Sequence, residues 1–302
     1  MTAAIYEKTL KSAHKANWKI DDVFGEDDRL DFSRPFMPEA LARVDATPFL
    51  SPDERRILNQ IRGHAYLNIF GLVEEFILPF VMDHVRTGLA VDDWRTRALL
   101  QFAGEEAKHI QLFKRFRLAF EAGFGHRCGM IGPPQAIAEH VLSHDPLGVA
   151  LLILHIEWMS QQHYLDSVRG DQNLDPLFKS LLRHHWMEEA QHARLDALMV
   201  ESLAAGKTEK EIAAAVDAYL AIGNFLDQGL LQQVDLDLEA LERVSGRRLG
   251  EAERAELRVV QHQANRWSYL GSGMTHPEFL GTLGKLSPAQ RARVEELAPA
   301  FS

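Results

Sequence analysis

The chain has 302 residues, with 43 acidic against 33 basic side chains and a net charge of −10, a balance that argues against a nucleic-acid-binding surface, which needs an excess of Lys and Arg. Its one cysteine, Cys128, leaves no internal disulfide and no thiolate cluster, which points to a reducing, cytoplasmic setting. The N-terminus lacks an apolar secretory core, and the longest apolar stretches, 69–82 and 147–154, read as too short or too interrupted to span a bilayer, so no membrane is expected as a partner.

The first fifty residues read as irregular, with a short helix over 5–16. Ser51-Pro52-Asp53-Glu54 combines a capping box with proline at the first helical position and opens a helix over 52–86, which Pro79 should kink near its end. A Gly- and Asp-bearing turn, Arg86 to Asp93, leads to a second helix over 92–119, and the glycine-rich segment Gly123 to Pro134 reads as a loop. Asp145-Pro146 and Asp175-Pro176 repeat a cap-then-proline signal, placing a third helix over 146–169 and a fourth over 176–204. Ser287-Pro288-Ala289-Gln290 opens a late helix. Helix follows helix with no linker or strand-type alternation, so 1–302 is expected to be one all-α domain: a four-helix bundle at about 52–204, wrapped by accessory helices in 205–302. Exposed helical faces point to a homodimer.

Two copies of one pattern carry the chemistry: Glu105-Glu106-Ala107-Lys108-His109 and Glu188-Glu189-Ala190-Gln191-His192. Glu106 and His109, like Glu189 and His192, are three positions apart and share a helix face, the arrangement by which helix bundles hold a pair of iron or manganese ions. Such a centre needs two further Glu residues. Glu74 lies 32 residues before Glu106, and Glu157 lies 32 before Glu189, so the halves repeat with an offset of 83. The midpoint of each Glu pair, position 90 or 173, falls in a turn sequence, so the members of each pair should stand level across a helical hairpin.

Glu74 and Glu75 compete for one place. Glu74 has Leu67, Phe70, Gly71, Ile77, Leu78 and Val81 on its face, whereas Glu75 has His64, Asn68 and Met82, so Glu74 is the inward choice. His185, Glu189, His192 and Asp196 form one stripe, which makes His185 a seventh candidate ligand and Asp196 a partner of His192, while His184 points away. Metal-bound His normally donates its other N–H to a carboxylate, a role that suits Glu105 and Glu188, each toward the His of the opposite half; a solvated helix face is the competing reading. Four carboxylates balance two divalent ions, and carboxylates with imidazoles suit iron or manganese: two Fe, with Fe/Mn or Mn also compatible.

These residues resemble the ferritin-like carboxylate-bridged diiron proteins, and within them the p-aminobenzoate N-oxygenase family. That family has four Glu, two Glu-x-x-His units and an extra His one turn before the second, matching Glu74, Glu106, His109, Glu157, His185, Glu189 and His192 over roughly 50–205, with His185 carrying the choice of branch. The resemblance implies a ferritin-like four-helix bundle with additional C-terminal helices and a place near the site for Tyr66, for which a core tyrosine is the alternative. It implies a diiron monooxygenase that uses O2, through a peroxo-diferric intermediate, to convert an amine, with an arylamine as the expected class, to hydroxylamine or nitro product, with electrons from an external donor or reductase. Relatives fit less well: the ribonucleotide reductase radical subunit has a tyrosine where this chain has Phe113, and rubrerythrins need a Cys-rich module. Hydroxylation or desaturation at a C–H bond, N–N bond formation, a ferroxidase and a metal-free bundle are the alternatives.

Overall fold

Capping chemistry accounts for where the long helices begin in the computed structural model, which describes residues 2–301. Three helices, α1 (Thr2–Ala16), α2 (Ile20–Val23) and α3 (Glu39–Ala42), precede the long elements. Then come α4 (Pro52–Arg86), α5 (Trp94–Phe124), α6 (Pro134–Leu142), α7 (Pro146–His163) and α8 (Pro176–Ala204). The chain ends with α9 (Glu209–Ser245), α10 (Glu251–Arg266), α11 (Ser272–Met274), α12 (Pro277–Leu286) and α13 (Pro288–Leu297). No strand occurs among the described residues.

Ser51 Oγ accepts from the Glu54 N–H at 3.2 Å and Glu54 Oε2 accepts from the Ser51 N–H at 2.8 Å, a closed capping box at the start of α4. Asp93 accepts from the Thr96 N–H (2.7 Å), Asp145 from Leu147 (2.9 Å) and Asp175 from Phe178 (2.6 Å), which start α5, α7 and α8. Asp175 also accepts from the Asp31 N–H at 2.9 Å, fastening the N-terminal segment to the bundle. The second helix therefore starts at Trp94 rather than 92, and it runs five residues beyond 119 to Phe124, stopped by Gly125 at φ 77°. Gly123, expected in a loop, lies inside that helix. Helix α4 runs on through Pro79 to Arg86. Helix α7 continues into a π-helical turn over Tyr164–Val168, where the Arg169 N–H reaches Tyr164 O at 2.8 Å.

Helix α4 packs on α5 and α7 on α8, and the hairpins meet where α5 touches α8. Helix α1 covers α5 and α8, while α9 crosses α4 and α7 and carries α10 on its back. This explains why α7 is apolar all round: Leu151, Leu152, Ile153 and Leu154 are all 0% exposed because α8 and α9 enclose the helix. Each contributes about 1.5–3 kcal/mol by leaving water. The first fifty residues are more regular than their sequence suggests, because α1 to α3 gain their order from the bundle they cover.

One sequence expectation needs correction. Helix α4 is long and apolar enough to cross a membrane by length and composition, yet 72% of its apolar window is buried inside the protein, where α5 and α9 supply the apolar surroundings. The basic turn Lys114-Arg115-Phe116-Arg117 is held to its neighbours: Lys114, itself exposed, lies 3.8 Å from Glu75, Arg115 pairs with Asp21 at 2.6 Å, Phe116 is buried and Arg117 donates to Asn68 at 3.2 Å.

The segment between α5 and α6 is tied to α9 by Arg243, which donates to Arg127 O at 2.7 Å, and by Gln233. Gln233 Nε2 donates to Gly129 O (3.1 Å) and to Asp237 Oδ1 (2.8 Å), while its Oε1 accepts from the Ile131 N–H (3.0 Å). Asp237 is buried, and burial pushes its carboxyl up to about 7, with the Arg62 charge and the Gln233 hydrogen bond offsetting part of the rise. An acid raised in the fold binds its proton there more tightly than in the unfolded chain, so stability falls as pH climbs from about 4 through 7. Replacing Asp237 with Asn should remove that slope, making the variant more stable than the parent at pH 8 by up to about 4 kcal/mol, the value of roughly three pKa units. Urea unfolding at pH 5 and pH 8 checks it; parallel losses in both proteins would contradict it.

Candidate metal centre

Glu74 on α4, Glu106 and His109 on α5, Glu157 on α7, and His185, Glu189 and His192 on α8 converge inside the bundle, none more than 3% exposed. His109 Nδ1 lies 3.9 Å from Glu74 Oε1, 3.9 Å from Glu106 Oε1 and 3.3 Å from Glu189 Oε1. His192 Nδ1 is 2.8 Å from Glu106 Oε1 and 3.4 Å from Glu189 Oε1. His185 Nε2 is 3.1 Å from Glu74 Oε1 and 3.2 Å from Glu189 Oε1. Two four-residue donor sets result, Glu74/His109/His185/Glu189 and Glu106/His109/Glu189/His192, each with its atoms within 4.8 Å of one another. Glu189 and His109 belong to both. Glu157 joins through a side-chain hydrogen bond to Glu189.

This is a ferritin-like bundle. Two helical hairpins, packed side by side, bring a carboxylate and a Glu-x-x-His unit apiece to one depth. No protein-family model matches the chain, and no curated protein does. Among solved structures it is similar to an R2-like ligand-binding oxidase with an aerobically reconstituted Mn/Fe cofactor, at 14% identity over 87% of this chain and 91% of that one, with a TM-score of 0.42. A mutant R2-like ligand-binding oxidase with a non-activated Mn/Mn cofactor is similar at 15% identity over 87% of this chain and 91% of that one, TM-score 0.40. The chemistry proposed below rests on this chain's own side chains.

The donor set fits two cations. Glu74 Oε2, both oxygens of Glu106, His109 Nδ1, Glu157 Oε2, Glu189 Oε1 and His192 Nδ1 are buried and without a hydrogen-bond partner. So many orphaned polar atoms in one place would be costly unless something else satisfied them. Ligands about 2.1 Å from one ion, at right angles, stand about 3 Å apart, close to the 2.8–3.4 Å separations of His185 and His192 from their carboxylates.

Burial, then the Glu189 charge, holds the Glu157 carboxyl well above the usual carboxylate range. Burial acts the same way on Glu189 but is outweighed by His185, the hydrogen bond from Glu157 and His192, so Glu189 stays ionised and Glu157 donates to it. Burial works against the charged form of His192 and His109, yet surrounding carboxylates raise both. His185 is pushed down to about 4 by burial, which the Glu189 charge only partly offsets.

The outer nitrogens of the two Glu-x-x-His histidines are fixed crosswise. His109 Nε2–H donates to Glu188 Oε2 at 2.9 Å and His192 Nε2–H donates to Glu105 Oε2 at 2.9 Å, so each histidine is oriented by the other hairpin, with Nδ1 left as the inward lone pair. Asp196, expected as the partner of His192, is not: Glu105 holds that nitrogen, and both Asp196 oxygens are buried with no hydrogen bond. Burial raises the Asp196 carboxyl well above its usual range despite the nearby His192.

The two outer carboxylates differ. Glu188 also accepts from the Lys108 ammonium, which lies 4.0 Å over the Trp18 ring, and Trp18 stacks on His109 at 5.9 Å. Glu105 accepts only from the neutral Gln101 amide at 2.9 Å besides His192. The Lys108/Gln191 difference between the two repeats was the only sign of this asymmetry in the sequence. Trp18 carried none, because it lies 91 residues from His109 in an unpatterned stretch. Glu75 stays outside, half-buried beside Lys114. His184 turns outward, its ring edge-on to Trp18 with 5.7 Å between centroids. Tyr66 is buried with its ring 4.3 Å from Phe70 and lines a small cavity with His185.

Glu188→Ala should weaken metal binding about 10- to 100-fold, the usual cost of losing a carboxylate that orients a ligating histidine. Competition against a chelator measures it; an unchanged dissociation constant would show that the His109–Glu188 bond orients nothing.

Proposed function

We propose that the protein is a dimetal oxidase that inserts oxygen into the N–H bond of an amine, with an arylamine as the preferred class. The buried, unpartnered donor set carries this reading. Glu74, Glu106, His109, Glu157, His185, Glu189 and His192 would hold two iron ions, or Mn with Fe, as one unit spanning 1–302 with α9 sealing the open side. When bound, the metals supply Lewis acidity and the redox steps of O2 chemistry. One oxygen atom enters the amine to give a hydroxylamine; the other leaves as water, with two electrons and two protons from an external reductant.

The chain's own contribution is positional. Glu105 and Glu188 keep His192 and His109 in the tautomer that presents Nδ1. His185 adds a third imidazole at Glu74 and Glu189, a neutral donor that favours attack by an amine lone pair. Helices α1 and α9 keep water from the donors.

Anaerobic loading with Fe(II), followed by 18O2, a reductant and a panel of arylamines and alkyl chains, tests the reading. A hydroxylamine carrying one 18O is expected. The C–H alternative is favoured by the apolar cavity lined by Phe70, Val73 and Ile156; oxidation of alkyl chains with every amine untouched would establish it and sink N-oxygenation. Iron oxidised in many equivalents per chain, with no organic product, would indicate iron handling instead.

A further inference from the structure

A cavity of about 490 Å³ opens between α4, α6, α7 and α9. Its inner wall includes Phe70 and Val73, which precede Glu74 on α4, and Ile156, which precedes Glu157 on α7. Phe70 is shared: it lines the cavity, and its ring meets His185 edge-on at 5.4 Å between centroids. One aromatic ring, that of Phe70, thus stands between the cavity and His185. Ile131, Phe225 and Leu230 line the cavity as well, with Ile131 held in place by Gln233. Polar side chains occur only at Gln228, Gln232, His140 and Tyr269, and no Lys, Arg, Asp or Glu lines it among the described residues.

From this lining we propose that the substrate is an uncharged amine with a large apolar body and no carboxylate. This rests on the oxidase reading and narrows its substrate class. A carboxylate on the distal end of the substrate would enter an apolar cavity that offers no cation to pair with it, and burying an unpaired charge is strongly disfavoured. Size sets the second limit. An apolar cavity of about 150 Å³ holds one benzene, so about three times that space suits a body of two or three rings, or an equivalent alkyl extension, rather than a single small ring. The polar groups at Gln228 and Gln232, exposed on α9, suit a weak neutral hydrogen bond at the mouth.

The probes are 4-phenylaniline and 4-(4-aminophenyl)benzoate, which share one body and differ by a carboxylate. Their dissociation constants are measured by calorimetry on the full chain, metal-free and metal-loaded, with no turnover required. The neutral amine should bind at least tenfold more tightly in both states. Gly229→Trp should weaken it at least tenfold, since Gly229 lines the cavity on α9 and a Cβ there meets only Ile131 at an ordinary 3.5 Å. Gly229→Ala, which leaves the space open and suits a helix, should bind like the parent and guards against misfolding as the cause. Gln232→Arg should restore binding of the carboxylate. Equal binding of the two probes, or a carboxylate that gains only through bound metal, overturns the proposal. Failure of the oxidase reading looks different: neutral amine bound as expected, with no metal taken up.

Discussion

Glu189→Ala protein should hold at most one metal ion per chain, where the parent holds two. Glu189 is the carboxylate common to both donor sets, and it also accepts the Glu157 hydrogen bond. Its loss removes an anionic ligand from each cation and the acceptor of the Glu157 hydrogen bond. The fall in affinity should exceed the roughly 10- to 100-fold cost of losing an outer partner. Metal-dependent stabilisation, about 4 kcal/mol when metal stands at a thousand times its dissociation constant, should vanish with it. Glu189→Gln keeps the volume without the charge and should fail equally. Glu75→Ala is the control: that carboxylate is only half-buried and 3.8 Å from Lys114, an exposed pair worth little, so both ions should remain. Elemental analysis after anaerobic loading, with circular dichroism to confirm folding, decides. Two ions retained in the Glu189 variants would remove the centre from the account.

Gly273→Ala should destabilise the protein by about 3–5 kcal/mol, of which overpacking supplies roughly 1–3 and the broken buried hydrogen bonds the rest. A Cβ at Gly273 would lie 2.1 Å from His155 Cδ2 and 2.3 Å from its Nε2. The ring has nowhere to go. His155 is 0% exposed, its Nδ1 accepts from the Tyr219 hydroxyl at 2.7 Å, and its Nε2–H donates to Tyr269 O at 3.2 Å. Burial pushes this histidine down to about 4, so it is neutral and can make one bond of each kind. Shifting it disturbs Tyr269, which lines the large cavity. A fall in thermal midpoint of about 10 °C is expected for a chain of this size. Adding His155→Ala should recover part of it, because the clash then has no partner. A midpoint within about 2 °C of the parent would show that the close approach is relieved more cheaply than the geometry implies.

The all-α architecture and the starts of α4, α7 and α8 were legible locally. Pro52, Pro146 and Pro176 each begin a helix behind a capping Ser or Asp, and those signals need nothing beyond the first turn. The equal 32-residue spacing of Glu74–Glu106 and Glu157–Glu189 was legible for a related reason: a short turn forces level pairing, so distance along the chain becomes depth in the bundle. Asp196 shows where this logic stops. Its helical stripe with His192 is real, but the His192 Nε2–H points across the bundle to Glu105, and no intrahelical periodicity contains that direction.

What the sequence determined by itself, then, was which residues lie on which face of which helix, since helical periodicity and caps act within a few residues. Only the tertiary structure decided which faces meet. The crosswise pairs His109–Glu188 and His192–Glu105, the Lys108–Glu188–Trp18 cluster and the uncharged cavity between α4, α6, α7 and α9 all join segments roughly 60 to 170 residues apart. Their partners are chosen by how whole helices pack, and buried apolar surface, which sets that packing, is non-directional and carries no address along the chain.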